Sequence, residues 1–195
     1  MSKLILASAS PRRSELLRSM GVSFETVPSA ADEVHDERLS AAELCEMNAL
    51  IKAAEVSARF PNDIILGADT LVTLPPRIYG KPCDLTMAKD FLRELSGRTH
   101  EVITGVCLMQ LSTARKSVFH DVTHVTFKTL SDVTIDCYIT QVAVLDKAGA
   151  YAIQECGDLL VEKISGSFSN VVGLPTERLA QEFDRWSIPY SERSR

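Results

Sequence analysis

No run in the 195-residue sequence approaches the roughly 20 consecutive apolar residues that span a bilayer. The apolar LILA run near the start is too short for a secretory signal and has no cleavage pattern behind it, so no membrane or export role is expected. Cysteine is sparse and scattered: Cys45, Cys83, Cys107, Cys137 and Cys156 include no C-x-x-C pair. An odd, unclustered set of this kind predicts reduced, buried thiols in a cytosol-like compartment, the cytoplasm. Positive charge is in deficit, with a net −5, which excludes a dedicated nucleic-acid binder. A local cluster of cations can still hold a small anion. There is no Walker A loop, no G-x-G-x-x-G fingerprint and no G-x-S-x-G elbow.

What remains is an ordinary folded composition, 45% hydrophobic and 24% charged, long enough for one domain over residues 1–195 built as two lobes. Lys3–Ala7 reads as a buried strand. Ser10 and Pro11 then form a helix start, with Leu16, Leu17 and Met20 as its apolar stripe and Gly21 as its stop. Val22–Val27 alternates like a second strand. Ser40 and Glu43 make a capping box ahead of a helix that runs to about Arg59. Residues 63–74 read as two short apolar stretches divided by a Gly67-Ala68-Asp69-Thr70 turn. A helix over Thr86–Leu95, β-rich runs over His100–Leu111 and Ser117–Thr129, and helices over Ser131–Val142 and Pro175–Trp186 complete a mixed α/β pattern.

The stretch SASPRR concentrates chemistry. A helix N-terminus presents unpaired N–H groups and partial positive charge, which suits phosphate. Ser8 is small enough to let an anion approach the backbone. Arg12 and Arg13 fall at the second and third helical positions, and guanidinium forks grip phosphate oxygens in pairs. The alternative is a capped helix with solvated arginines. Asp69, between two apolar stretches, must face a cation, backbone donors or a cleft, since a buried unpaired carboxylate is too costly. The alternative there is an Asx turn. Glu33 and Asp84 are further loop carboxylates, and magnesium or manganese prefers such oxygen ligands together with phosphates. Lys52, Lys81 and Lys147 supply point charges, Lys81 being held between Gly80 and Pro82. His120 and His124 lie about 13 Å apart on an extended chain, too far to share one metal.

Six segments together carry a resemblance. SASPRRSELL, GADT, GKP, LSGRTHEVITG, DKAGAYAIQ and GSFSNVVGLP stand in the order and approximate spacing of the Maf family, from Leu4 to about Phe183. The resemblance implies nucleoside triphosphate pyrophosphatases related in fold to the inosine triphosphatases. It implies an α/β architecture with a long mixed sheet, two lobes flanking a deep nucleotide-binding cleft, and a homodimer. The implied reaction is NTP + H2O → NMP + PPi with a divalent cation, Mg2+ or Mn2+, as cofactor. Asp69 would be the catalytic acid–base residue. Ser8, Arg12, Arg13, Glu33, Lys52, Thr70, Lys81 and Gln154 would contact substrate, and Asp69, Glu33 and Asp84 would face the metal.

The sequence also resembles one type within the family. Members that prefer 7-methyl-GTP read SPWR, GSDQ and CAGSFKSEG where this chain has SPRR, GADT and KAGAYAIQE. Arg12, Thr70 and Gln154 therefore match the dTTP/UTP type, in which they bear on base choice. A glutamine amide can pair with the amide-like edge of a pyrimidine through one donor and one acceptor. Glu155 departs from that type, which usually has glycine there; a carboxylate at that place either alters specificity or turns outward. A modified-purine pyrophosphatase, or a nucleotide-binding regulator of cell division and septum formation, remains the alternative.

Overall fold

The computed structural model describes residues 2–36 and 38–191. In chain order the elements are β1 (Leu4–Leu6), α1 (Pro11–Ser19), β2 (Glu25–Thr26), α2 (Ala41–Arg59), β3 (Ile64–Leu74), β4 (Arg77–Tyr79), α3 (Leu85–Leu95), β5 (Thr99–Gln110), β6 (Arg115–Phe127), α4 (Asp132–Gln141), α5 (Gly157–Leu160), β7 (Val161–Ser165), α6 (Phe168–Val172) and α7 (Thr176–Trp186). The strands form a seven-stranded mixed sheet in the order β2-β1-β3-β5-β6-β7, with β4 paired to β3. β1 runs parallel to β2 and to β3, in the register Leu4↔Ile64, Ile5↔Ile65 and Leu6↔Leu66. β4 is antiparallel to β3, and β7 to β6. All three residues of β1 are buried, as expected for a strand covered on both faces.

The chain divides into two compact units. The first holds Met1–Asp69, Thr104–Asp121 and Gly173–Arg195; the second holds Thr70–Ile103 and Val122–Val172. Each has its own core. The first unit packs Leu6, Leu17, Leu66, Val106, Leu108, Leu179 and Phe183 in one cluster and Ile5, Ala49, Ala53, Val56 and Ile65 in another. The second packs Tyr79, Phe91, Leu92, Leu95, Phe127, Tyr138, Tyr151 and Leu160.

Several local expectations hold. Ser40 and Glu43 form both halves of the capping box of α2. The helix expected over Ser131–Val142 is α4, with Ser131 standing at its N-cap and accepting from the Thr134 amide. Gly21 and Gly97 sit at φ 66° and 68°, the left-handed conformation that ends a helix. Three expectations are corrected. GADT is not a turn: β3 runs unbroken from Ile64 to Leu74. Pairing with β1 on one side of Asp69 and with β4 on the other overrides the local Gly and Asp turn signal. The second strand shrinks to Glu25–Thr26, both exposed. Ser10 stands at the N-cap of α1, but its hydroxyl makes no capping bond.

One contact in the first unit decides the placement of α2. A Cβ on Gly67 of β3 would stand 2.2 Å from the Ala49 carbonyl oxygen and 2.9 Å from Ala53 Cβ; one on Gly105 of β5 would stand 2.3 Å from the Cys45 carbonyl carbon. Only glycine lets the helix backbone come this close to the sheet.

Candidate functional site

The first unit gathers the charged residues named from sequence. α1 begins on the SASP turn with Pro11 in its first turn. Here Ser8, rather than Ser10, is the working hydroxyl. Its Oγ accepts from the Ser10 amide at 3.2 Å and from Arg13 Nη1 at 3.2 Å. Arg13 Nε also donates to the Gly173 carbonyl at 3.0 Å. Two hydrogen bonds therefore fix the plane of this guanidinium at the helix start. The group is enclosed although the residue as a whole keeps some accessible surface. Burial draws its pKa below the ordinary arginine value; the nearby Asp69 charge opposes that shift and Arg12 adds to it.

Asp69 is 5% exposed. Lys52 Nζ lies 2.7 Å from its Oδ1, and the same nitrogen lies 2.6 Å from Glu33 Oε1. Asn48 Nδ2 stands 3.4 Å from Asp69 Oδ2. The supporting frame follows from helical spacing. Asn48, Lys52 and Glu55 recur at intervals of four and three, so they share one stripe of α2. That stripe holds the acidic loop at three points. Glu55 accepts from the Ala30 amide at 3.2 Å, Lys52 pairs with Glu33, and Asn48 exchanges two bonds with Val34, at 2.7 Å and 3.2 Å. Sequence reading missed Asn48. Its available signal was position, an amide four residues before Lys52 on a face otherwise lined by Leu44, Cys45 and Ala49.

The ammonium of Lys52 stands between two carboxylate oxygens, a position whose hard oxygen donors also suit a divalent cation. Among the described residues no group of three or more His, Cys, Asp or Glu side chains comes together to hold a metal by itself. A cation at Asp69 and Glu33 would complete its shell with phosphate oxygens and water, which is how magnesium is commonly held in phosphate sites.

The second unit holds the other candidates. Alternation along β3 puts Thr70 on the same face as Val72, whose side chain meets Gly149 closely enough that a Cβ there would stand 3.0–3.1 Å away. Asp69 shares the face of Gly67, against which α2 packs. Lys81 is exposed beside the buried Pro82. The GKP segment is tied to the DKAGAYAIQ segment by the Gly149 amide, which donates to the Gly80 carbonyl at 3.1 Å. Asp84 caps α3, its Oδ1 accepting from the Met87 amide at 2.8 Å. One of its oxygens is thus already engaged.

Gln154 is exposed in a turn over residues 153–156. The backbone leading to it is clamped. Tyr138 Oη accepts from the Ala152 amide at 2.9 Å and donates to the Ala152 carbonyl at 3.2 Å. Tyr151 Oη lies 2.8 Å from His100 Nε2, and the His100, Phe127 and Tyr151 rings meet edge to face. Burial pushes the His100 pKa down to about 4. Two other histidines make separate pairs, His120 with Glu46 at 2.8 Å and His124 with Glu101 at 3.4 Å.

Three cations (Arg12, Arg13, Lys52) against two carboxylates (Glu33, Asp69), grouped at a helix start in an α/β sheet, make a site charged for a polyanion. The chain belongs to the Maf family: the profile described as Maf-like protein matches residues 3–186. It is similar to a dTTP/UTP pyrophosphatase of Bacillus cytotoxicus, with 46% identity over 186 residues covering 95% of this chain and 96% of that one. It is also similar to a dTTP/UTP pyrophosphatase of Bacillus cereus, with 44% identity over 188 residues covering 96% and 92%. Among solved structures, the Staphylococcus aureus Ham1 protein shares the fold with a TM-score of 0.53 and 13% identity, over 95% of this chain and 100% of that one.

Proposed function

We propose that the chain hydrolyses nucleoside triphosphates at the α-phosphorus to the monophosphate and pyrophosphate, with dTTP and UTP as its substrates. The observation that carries the chemistry is the Lys52 bridge between Asp69 and Glu33 beside the enclosed Arg13. The substrate choice rests on Arg12, Thr70 and Gln154, which match the dTTP/UTP type, and on the names of the two Bacillus relatives.

In this reading Arg13, Arg12 and the N-terminal end of α1 hold phosphate oxygens, with Ser8 and Gly173 keeping the Arg13 fork in plane. Asp69 accepts a proton from the attacking water as it bonds to the α-phosphorus. Lys52 keeps both carboxylates in place, and Lys81 adds charge for the leaving pyrophosphate. Gln154 and Thr70 meet the base. A bound Mg2+ or Mn2+, held by Asp69 and Glu33, would neutralise charge on the polyphosphate. Asp84 Oδ2 lies outside the cap, where it accepts from Cys83 Sγ at 3.6 Å, and is proposed as a lesser contributor to that ion.

The proposed setting is the cytoplasm, which five free thiols suit, although only Cys45 and Cys107 are buried as expected and Cys83 and Cys137 are exposed; the proposed assembly is a homodimer, readable by sedimentation velocity. Among the described residues no helix is long and apolar enough to cross a membrane. The test is a panel of nucleotides with purified protein and metal. Pyrophosphate release fastest from dTTP and UTP, with oxygen from labelled water appearing in the monophosphate, is the expected result. Faster turnover of 7-methyl-GTP or inosine triphosphate would overturn the pyrimidine reading. Binding without turnover would overturn the enzyme in favour of a regulator.

A further inference from the structure

A side chain that selects a base by hydrogen bonds has to be held still, because one that moves freely accepts either partner. Gln154 is exposed on a turn, so its backbone must supply the rigidity. On the upstream side Tyr138 and His100 do this through Ala152 and Tyr151. On the downstream side the turn is held by a residue that the resemblance does not lead one to expect.

That residue is Glu155. Its side chain is 41% exposed, and its carboxylate reaches a buried lysine. Oε1 lies 3.5 Å from Nζ of Lys147, whose side chain is only 5% exposed. The same ammonium donates to the Ala143 carbonyl and to Asp146 Oδ1 at 2.9 Å. A buried ammonium needs acceptors around it. Two of these three come from Lys147's own neighbourhood in sequence. Only Glu155 comes from the turn that carries Gln154. Glycine at this position could not make the pair.

The backbone accommodates the carboxylate without strain. The left-handed residue of the turn is Cys156, at φ 53°, and Glu155 is not among the positive-φ residues. A β-carbon at 155 is therefore free of the penalty that a left-handed position imposes.

We propose that Glu155 is a positioning residue for Gln154: its ion pair with buried Lys147 locks the 153–156 turn and sharpens the choice of pyrimidine over purine. The proposal rests on the reading of Gln154 as the base contact. Lys147 is the anchor and Glu155 the tether, and neither needs to touch substrate.

The test uses Glu155→Gln, which keeps the shape and removes the charge, together with Glu155→Gly. Two readouts are taken. The first is hydrogen exchange of the backbone amides of residues 152–157 in the nucleotide-free protein, expected to quicken in both variants, with exchange elsewhere in the second unit unchanged. The second is the ratio of kcat/KM for dTTP to that for dGTP. It is expected to fall roughly fivefold, carried by KM for dTTP with kcat held within about twofold, the scale of a partly exposed ion pair. High salt should narrow the gap between the wild type and Glu155→Gln. Unchanged exchange in both variants overturns the tether. Quickened exchange with an unchanged dTTP/dGTP ratio overturns its role in base choice. If the wild-type protein turns over neither dTTP nor UTP, the reading of Gln154 fails by itself, base selection by Glu155 fails with it, and exchange alone still decides the tether.

Discussion

Lys52 Nζ and Asp69 Oδ1 stand 2.7 Å apart, and both side chains are largely withdrawn from solvent, at 14% and 7% exposure. The pair joins a residue of α2 to a residue of β3, and the Glu33 carboxylate completes it. Asp69→Asn keeps the side-chain volume and removes the charge. The expected result is a loss of kcat of about 10²–10⁴-fold, the usual contribution of a positioned acid–base group, with near-ultraviolet circular dichroism unchanged. Pyrophosphate release across a magnesium or manganese titration checks it. A folded variant with near-normal turnover removes Asp69 from the chemistry.

Arg13 makes two separate hydrogen bonds from one planar group, to Ser8 Oγ and to the Gly173 carbonyl. Arg13→Lys keeps the charge but loses the fork, so a single ammonium cannot serve both partners and the ligand together. KM for the triphosphate is expected to rise about tenfold, which corresponds to about 1.4 kcal/mol. Steady-state kinetics with dTTP measures it. Equal KM values in the two proteins would show that charge alone is what the site uses.

His100 is 1% exposed and faces Tyr151 and Phe127, and burial lowers its pKa to about 4. The unfolded chain binds the proton near the ordinary value of about 6.5. The folded state therefore binds fewer protons between those values, and its stability falls as pH drops through that window. The contribution is fully present above about pH 6.5, and a loss on the order of 3 kcal/mol is expected by pH 4. Urea unfolding at pH 8, 6.5, 5 and 4 measures it. Because carboxylates titrate in the same range, the comparison is with His100→Gln, whose curve should be flatter over the window.

Gly67→Ala tests how closely the helix sits. The added Cβ would lie 2.2 Å from a backbone carbonyl oxygen of α2, an atom that cannot rotate aside. Overpacking of this kind costs about 1–3 kcal/mol or more, measured by denaturant unfolding. Activity should fall beyond what the unfolded fraction explains, since α2 carries Lys52 and Asn48. Gly80→Ala is the control: a Cβ there meets nothing within 4 Å.

Much of this was legible in the sequence because it is local. The α1 start, the Ser40–Glu43 box and the glycine stops each depend on residues within a turn of one another. SASPRR was legible for the same reason, although the working hydroxyl proved to be Ser8, which reaches Arg13 five residues on, and not the N-cap serine. GADT was misread as a turn because strand pairing with β1 and β4 is decided by segments far away in the chain. Asn48 was missed because its partners, Val34 and Asp69, are 14 and 21 residues away. On a helix it reads as one more polar residue. Glu155 was noticed only as a departure. That its carboxylate meets Lys147 depends on where the fold buries that ammonium, which no spacing rule reports.

β3 passes through Asp69 and Thr70 without a break, and neighbouring side chains on a strand leave by different faces. Two tasks in the proposed reaction, moving a proton and telling one base from another, are therefore assigned to adjacent letters of the sequence and wired to different surroundings. Asp69 pairs with Lys52 of α2, while Thr70 shares the face of Val72, which meets Gly149. In the proposed reading, a substitution of the second letter would alter base preference while the proton acceptor beside it stays in place.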